Sequence, residues 1–278
     1  MRIEAYAKLN LTLEVFGVRS DGYHALRSLV LPISLADRLE IEPAGELKSD
    51  VPYADDLCLK AARTLRSIGA GTFMTPQMLG AMIHVEKRIP VGGGLGGGSA
   101  DAAATLVALN ELWGLMLSRK DLAEIGAQIG SDVPALVLGS PVRMEGRGEK
   151  VTAVTCPRLD FVLVNPGIAV STKEVYAACS ARSLEAPSAT AALEAALKDG
   201  ELEKIAAQFV NDLQAPACRL HPEITDALVS LRTAGALGVS MSGSGSSVFG
   251  LVANAAEAAR IAAELNGRGL KAWAVHSL

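Results

Sequence analysis

Apolar and polar residues alternate along the first fifteen positions of the chain. The odd-numbered positions from Ile3 to Val15 are apolar, and the even-numbered positions, which include Lys8 and Asn10, are polar. Because successive side chains of a strand point to opposite faces, this pattern predicts a half-buried strand over 3–15. A turn at 20–22 follows, and strands are predicted over 29–35 and 38–42.

Further along the chain the apolar spacing becomes helical. Leu57, Ala61, Leu65 and Ile68 form one helical stripe that ends at Gly69. The same reasoning predicts other helices at 100–113, 122–129, 187–209, 222–234 and 255–265, and strands at 82–85, 151–154, 161–164, 236–241, 246–252 and the carboxy terminus.

The last third of the chain has its elements in the order helix, strand, strand, helix, strand. This order is typical of a ferredoxin-like α+β sandwich. We therefore expect two domains, 1–155 and 156–278, although no Pro/Ser-rich linker marks the boundary near residue 155.

Composition narrows the class of protein. Half of the 278 residues are hydrophobic, but no apolar run reaches the length of a membrane helix, and Met1 to Glu4 do not open a signal peptide. We expect a cytoplasmic protein with no membrane partner. The net charge is −4, with no cluster of Lys, Arg and aromatic residues, which argues against nucleic-acid binding. The four cysteines and His84, His221 and His276 show no metal-ligand spacing, so we expect reduced thiols and no metal held by the protein.

Glycine occupies six of the seven positions from 92 to 98 and leads into an Ala/Leu-rich helical stretch. Such a segment lets a ligand approach the main chain closely. Ser99 is predicted to cap a helix that begins at Ala100. The unpaired amides and the dipole at a helix start favour an anion such as phosphate.

Three other interpretations of the glycine segment compete with a phosphate site. A Walker P-loop requires Gly-Lys-Ser/Thr, whereas Gly98 is followed by Ser99 and Ala100. The glycines satisfy the G-x-G-x-x-G pattern of dinucleotide folds, but the acidic strand end expected about 20 residues later falls beside Trp113, where a helix ends. A glycine-rich connection that binds nothing is the third possibility.

The glycine segment resembles the ATP-binding signature of the GHMP kinases. Within that superfamily, five further blocks resemble, in order, the family that phosphorylates 4-diphosphocytidyl-2-C-methyl-D-erythritol. These blocks are Ala7-Lys8-Leu9-Asn10-Leu11, Arg19-Ser20-Asp21-Gly22-Tyr23-His24, Gly130-Ser131-Asp132-Val133-Pro134, Asn211-Asp212-Leu213 and Met241-Ser242-Gly243-Ser244-Gly245-Ser246-Ser247.

The resemblance implies an α/β (α+β) two-domain fold, with a ribosomal S5-like amino-terminal domain that contains a left-handed crossover and a ferredoxin-like carboxy-terminal domain. It implies transfer of the ATP γ-phosphoryl group to the 2-hydroxyl of the cytidyl substrate in isoprenoid precursor synthesis, with Mg²⁺ accompanying ATP. We expect a monomer or weak homodimer. The residues implied to bind ATP are Pro90, Val91, Gly92, Gly93, Gly94, Leu95, Gly96, Gly97, Gly98, Ser99 and Ala100.

The resemblance also implies individual roles. Asp132 would be the general base, and Lys8 would stabilise the transferring phosphoryl group. Read without the resemblance, Asp132 is a helix cap and Lys8 a solvated strand lysine. The remaining implied substrate-binding residues are Asn10, Tyr23, His24, Tyr176, Gly243 and Gly245, where Tyr23 and Tyr176 would enclose the cytosine ring.

Two points remain open in the sequence. The family usually has Asn-Leu-Val where this chain has Asp56-Leu57-Cys58. Asp101 places a negative charge beside the predicted phosphate site, and complementarity to the helix dipole is the one physical reason for it. The alternatives are another GHMP kinase, acting on homoserine or a mevalonate derivative, and a non-catalytic nucleotide sensor on the same fold.

Overall fold

The computed structural model of the protein describes residues 1–53, 55–69, 76–183 and 185–278. A short 3-10 helix spans Pro76–Leu79. The strands are β1 Arg2–Val18, β2 His24–Pro43, β3 Leu47–Ser49, β4 Ala81–Glu86, β5 Val142–Gly146, β6 Lys150–Ala153, β7 Asp160–Asn165, β8 Val210–Asn211, β9 Gly238–Met241, β10 Val248–Val252 and β11 Lys271–His276.

The helices alternate with these strands. They are α1 Leu57–Gly69, α2 Gly97–Leu112, α3 Arg119–Gly126, α4 Val133–Leu138, α5 Thr172–Ala177, α6 Ala189–Asp199, α7 Leu202–Ala206, α8 Gln214–Leu220, α9 Pro222–Thr233 and α10 Ala255–Gly267.

The chain forms two compact units, and β1 and β2 contribute residues to both. The first unit contains Met1–Ala7, Leu35–Ile89 and Gly96–Gly139, and the second contains Lys8–Ser34, Pro90–Leu95 and Ser140–Leu278. The predicted boundary near residue 155 stays a prediction.

In the first unit, helices pack around a small sheet. β4 pairs antiparallel with Arg38–Pro43 of β2, and β3 pairs parallel with β4. α2 is apolar around its circumference, with buried residues that include Ala102, Ala103 and Leu106. A helix with apolar residues on all sides is stable only inside a core, so α2 is the central helix of this unit.

The second unit contains a four-stranded antiparallel sheet in the order β11-β7-β10-β9. This strand order, with α9 and α10 packed against the sheet, is the ferredoxin-like arrangement, so the predicted fold class is confirmed. Two further strand pairs complete the unit: β5 runs antiparallel to Leu26–Val30, and β8 runs parallel to β1 from Thr12.

One core cluster fills the second unit. It joins Leu13 and Val15 of β1 to Val162 and Val164 of β7 and to the apolar faces of α9 and α10. The predicted half-burial of β1 is wrong over 7–16, where both faces are buried. The polar face is buried because its side chains hydrogen-bond to neighbouring segments.

The sequence pattern does not predict β3, β5, β8, α4, α5 or α8. The elements that it does predict agree with the structure to within a few residues, with one exception. The predicted strands at 29–35 and 38–42 are parts of the single strand β2. α1 has the predicted bounds, because Asp56 caps its start and the stripe ends at Gly69. Within the described part of the chain, no helix has both the length and the apolar character that crossing a membrane requires.

Candidate active site

The first half of the glycine segment, Pro90–Leu95, lies in the second unit and is held by its main chain. Gly93 O accepts a hydrogen bond from Ser247 N at 3.0 Å, and Leu95 O accepts one from Lys8 N at 3.0 Å. Gly94 has φ +75°, and a Cβ there would lie 2.1 Å from Ser242 O. Glycine is therefore required at 94, both for its conformation and for the close approach of Ser242.

The second half, Gly96–Ser99, belongs to the first unit and starts α2. The helix begins at Gly97, and Gly96 is its N-cap residue with φ 70° and no side-chain capping bond. The prediction that Ser99 caps a helix starting at Ala100 is therefore wrong. Because glycine adopts the left-handed conformation easily, the helix starts three residues earlier and leaves the amides of Gly97 to Ser99 at its open end.

Asp132 directly precedes α4 in the first unit. It occupies the N-cap position, but its side chain makes no capping hydrogen bond to the helix. The segment before it is fixed, since Ile129 O accepts from Lys60 Nζ at 2.9 Å. A Cβ at Gly130 would lie 3.6 Å from Ser99 Oγ, which places the Asp132 segment beside the start of α2. The structure thus brings two predicted site segments together within this unit.

Lys8 and Asn10 lie on one face of β1 in the second unit. Each side chain is 3% exposed, and Lys8 Nζ donates to Asn10 Oδ1. Asn10 Nδ2 in turn donates to Ser28 Oγ at 2.8 Å, which fixes the orientation of the amide. Lys8 is therefore a buried, oriented cation and the solvated-lysine interpretation is wrong. Lys8 and Asp132 lie in different units, and their meeting stays a prediction.

The loop between β9 and β10 approaches Lys8. A Cβ at Gly243, which has φ +57°, would lie 3.3 Å from Lys8 Nζ. Asn211 Nδ2 donates to Met241 O at 2.7 Å and to Gly243 O at 2.8 Å. Gly245 follows in the same loop with φ +88°. Lys8, Asn10 and this loop are thus brought together, and Asn211 holds the loop in place.

Three predicted aromatic or imidazole residues lie in the second unit. The His24 and Tyr176 rings have centroids 5.3 Å apart, and His24 Nδ1 lies 3.1 Å from Phe16 O. Tyr23 is 53% exposed, and Arg147 Cζ lies 5.3 Å from its ring centroid. The structure therefore brings His24 and Tyr176 together. The enclosure of a base by Tyr23 and Tyr176 stays a prediction.

Some functional candidates were missed in the sequence. Arg147 follows the turn residue Gly146 and gives no sequence signal of its own. Lys87 makes ion pairs with the buried carboxylates of Asp37 and Asp101, and only its place just before the glycine segment could have drawn attention. Asp56 replaces the family's usual Asn and accepts from the amides of Cys58 and Leu59, so it is the cap of α1.

Two family profiles match this chain. The profile of the GHMP kinases N terminal domain matches residues 56–140, and that of the GHMP kinases C terminal matches residues 189–271. The chain belongs to the GHMP kinases. More particularly, it is similar over almost its whole length to proteins named 4-diphosphocytidyl-2-C-methyl-D-erythritol kinase.

Two such relatives illustrate the likeness. The protein from Pelotomaculum thermopropionicum is 42% identical over 268 residues, covering 93% of this chain and 91% of its own. The protein from Symbiobacterium thermophilum is 40% identical over 287 residues, covering all of both chains.

Solved structures of GHMP kinases show the same likeness to this chain. A crystal structure of 4-(cytidine 5'-diphospho)-2C-methyl-D-erythritol kinase has a TM-score of 0.85 and 38% identity, with full coverage of both chains. The L. major mevalonate kinase has a TM-score of 0.72 at 19% identity, covering 100% of this chain and 95% of its own, and shows the shared fold alone.

Proposed function

We propose that this GHMP kinase transfers the γ-phosphoryl group of ATP to the 2-hydroxyl of 4-diphosphocytidyl-2-C-methyl-D-erythritol. The observation that carries the proposal is the adjacent His24 and Tyr176 pair, in the same unit as buried Lys8. Two adjacent rings suit a flat nucleobase, whereas homoserine and mevalonate contain no ring to stack.

The hydrogen bonding of His24 supports recognition of cytosine. A backbone carbonyl can only accept, so contact with Phe16 O places the proton of neutral His24 on Nδ1. Nε2 is then an acceptor, and the exocyclic amine of cytosine is a donor. We infer that His24 Nε2 accepts from that amine while the base lies against an aromatic ring.

Lys8 has the charge and position that phosphoryl transfer requires. Its buried ammonium is oriented by Asn10 and lies beside the main chain of Gly243. Negative charge builds up on the transferring group, and a preorganised cation stabilises it most in a site removed from water. We infer that Lys8 contacts the γ-phosphoryl oxygens.

We infer that Asp132 is the general base. In the step, the 2-hydroxyl oxygen of the substrate forms a bond to the γ-phosphorus, and the bond from that phosphorus to the β–γ bridging oxygen breaks. ADP leaves with the electron pair of that bond, and the hydroxyl proton moves to the Asp132 carboxylate.

The glycine segment has the properties of a phosphate cradle. Gly92, Gly94 and Gly96 adopt positive φ, so the main chain folds tightly, and the open amides at the start of α2 are available to an anion. We infer that the segment Pro90–Ala100 binds the ATP phosphates. Mg²⁺ would accompany ATP and neutralise part of its charge, and we assign no protein ligand to it.

The remaining expectations are kept as proposals. We propose domains 1–155 and 156–278, because the two family profiles fall on either side of residue 155. We also propose a cytoplasmic location and a monomer or weak homodimer.

The function is tested by measuring ADP release with Mg·ATP and each of four acceptors: the cytidyl substrate, homoserine, mevalonate and phosphomevalonate. We expect turnover with the first alone, and phosphorus NMR of the product should show the phosphate on the 2-hydroxyl. Asp132→Asn should abolish turnover, whereas the exposed-helix control Asp226→Asn should not. Turnover with another acceptor would disprove the substrate assignment, and binding of ATP without any turnover would favour the sensor.

A further inference from the structure

Three charged side chains form a buried cluster in the first unit. Lys87 Nζ donates to Asp37 Oδ2 and, at 2.6 Å, to Asp101 Oδ2. Asp37 is fully buried and Asp101 is 4% exposed, while the Lys87 side chain is 20% exposed. Buried charges are costly unless they are paired, so these three groups act as one set.

The cluster joins the two ends of the glycine segment. Lys87 lies three residues before Pro90, and Asp37 Oδ1 also accepts from Ile89 N at 2.8 Å. At the other end, a Cβ at Gly97 would lie 3.1 Å from Ile89 Cγ2 and 3.4 Å from Lys87 Nζ. The first turns of α2 are therefore fixed against the residues that lead into the segment.

The cluster has one negative charge in excess when both carboxylates are ionised. Asp101 Oδ1 is buried and has no hydrogen-bond partner among the described residues. Burial raises the pKa of Asp101 to about 7, although Lys87 opposes the rise. A proton on Asp101 would make the cluster neutral.

The groups that act on Asp101 and on its neighbour Cys58 come from several elements of the first unit. α1 contributes Cys58, whose thiol pKa is raised to about 12 by burial and then by Asp101, and its cap Asp56. β2 contributes Asp37, and Lys87 directly follows the end of β4. α2 itself contributes the hydroxyl group of Thr105, which lies near Cys58. Lys87 pairs with both carboxylates and so balances part of their charge.

We propose that Asp37, Lys87 and Asp101 are positioning residues that set the affinity of the glycine segment for the nucleotide phosphates. The inference rests on the proposed nucleotide site. Lys87 holds both ends of the segment in the binding form and balances carboxylates that would otherwise repel a polyanion. Asp101 acts through Lys87 and α2, and it supports nucleotide binding best when it carries a proton.

The sign of the pH effect follows from linkage. A bound polyanion stabilises the protonated form of a neighbouring carboxyl group and raises its pKa further. Affinity for the nucleotide should therefore be highest below about pH 7 and fall as the pH rises and Asp101 ionises. Asp101→Asn mimics the protonated group, so this variant should bind nucleotide at pH 8.5 at least as tightly as the unmodified protein does at pH 6.5.

The test is calorimetric binding of Mg·ADP between pH 6.5 and 8.5, without the second substrate. We expect the Kd of the unmodified protein to rise by about tenfold across this range and that of Asp101→Asn to stay flat. Lys87→Met should raise Kd at least tenfold, and Lys87→Arg should recover part of the loss. The exposed control Lys48→Met should match the unmodified protein.

Each outcome decides the question. If Asp101→Asn shows the same pH profile as the unmodified protein, or Lys87→Met keeps its affinity, the inference is wrong while the proposed kinase stands. If the unmodified protein binds no Mg·ADP, both are wrong. Should Lys87→Met fail to fold, the comparison between Asp101→Asn and the unmodified protein gives the answer alone.

Discussion

The ammonium group of Lys8 donates a hydrogen bond to the side-chain carbonyl of Asn10, and both side chains are almost entirely removed from water. The two residues are neighbours on one face of β1, since positions two apart in a strand point the same way. The strand that begins the chain therefore presents a fixed cation. An oriented buried cation needs little rearrangement when charge develops beside it, which is the condition for strong transition-state stabilisation.

Replacing Lys8 by Met should remove most of the turnover. Loss of one preorganised electrostatic group typically costs about 10²- to 10³-fold in kcat. We expect a fall of that size, with a smaller change in the KM for ATP, measured by ADP release at saturating substrates. Lys48→Met at an exposed position of β3 is the matched control. Equal kcat values for Lys8→Met and Lys48→Met would contradict the role of Lys8.

The His24 and Tyr176 pair should control binding of the cytidyl substrate and leave ATP binding unchanged. Stacking on a base is worth about 1 to 3 kcal/mol, so His24→Ala and Tyr176→Ala should each raise the KM for the cytidyl substrate by about 5- to 140-fold. The KM for ATP should change less than threefold. His84→Ala, at an exposed position of β4, is the control. A parallel rise in both KM values would show that the pair supports the fold and does not recognise the base.

Gly94→Ala and Gly92→Ala separate two effects of adding a methyl group. Both glycines have positive φ. A Cβ at 94 would lie 2.1 Å from Ser242 O, whereas a Cβ at 92 would lie 3.9 Å from Ala169 Cβ, an ordinary van der Waals distance. The conformational cost of the left-handed region, about 1 kcal/mol, is common to both variants. Gly94→Ala should also displace the loop between β9 and β10, which contains Ser242. It should therefore lower Tm and ATP affinity much more than Gly92→Ala does, as measured by thermal unfolding and calorimetry. Equal effects at the two positions would show that the close approach to Ser242 is unimportant.

The sequence pattern predicted elements whose hydrophobic periodicity was undisturbed. The stripe from Leu57 to Ile68 gave α1, and the order of the last elements gave the ferredoxin-like sheet. The sequence pattern failed where the conformation of the main chain determines the residue at which an element starts. By residue type Ser99 is predicted to cap α2, whereas Gly96 adopts the left-handed conformation and α2 starts earlier. Local side-chain preferences do not report where a glycine-rich main chain turns.

Local sequence patterns also do not predict how the residues of the candidate site come together. Lys8, Asn10 and Gly243 were identified through a resemblance, and their proximity depends on contacts between residues more than 200 positions apart, such as Asn10 N with Ser242 Oγ. Alternation alone predicted that the polar face of β1 is exposed. Only the tertiary structure shows that Ser28 and Thr190 satisfy that face and allow it to be buried.

Asn211 should be intolerant of Asp, although the two side chains have the same shape. At 211 the side-chain nitrogen donates to Met241 O and Gly243 O, and a carboxylate in its place would present an oxygen to two acceptors. Leaving buried acceptors unpaired costs about 1 to 3 kcal/mol. At Asn254 the side-chain oxygen accepts from Glu257 N at the start of α10, and Asp performs that role equally well.

We expect Asn211→Asp to lower the free energy of unfolding by about 1 to 3 kcal/mol in a urea titration. It should also reduce kcat, because Gly243 borders Lys8. Asn254→Asp should change neither quantity. If both variants were equally stable and active, the amide of Asn211 would not be what holds the β9–β10 loop beside Lys8.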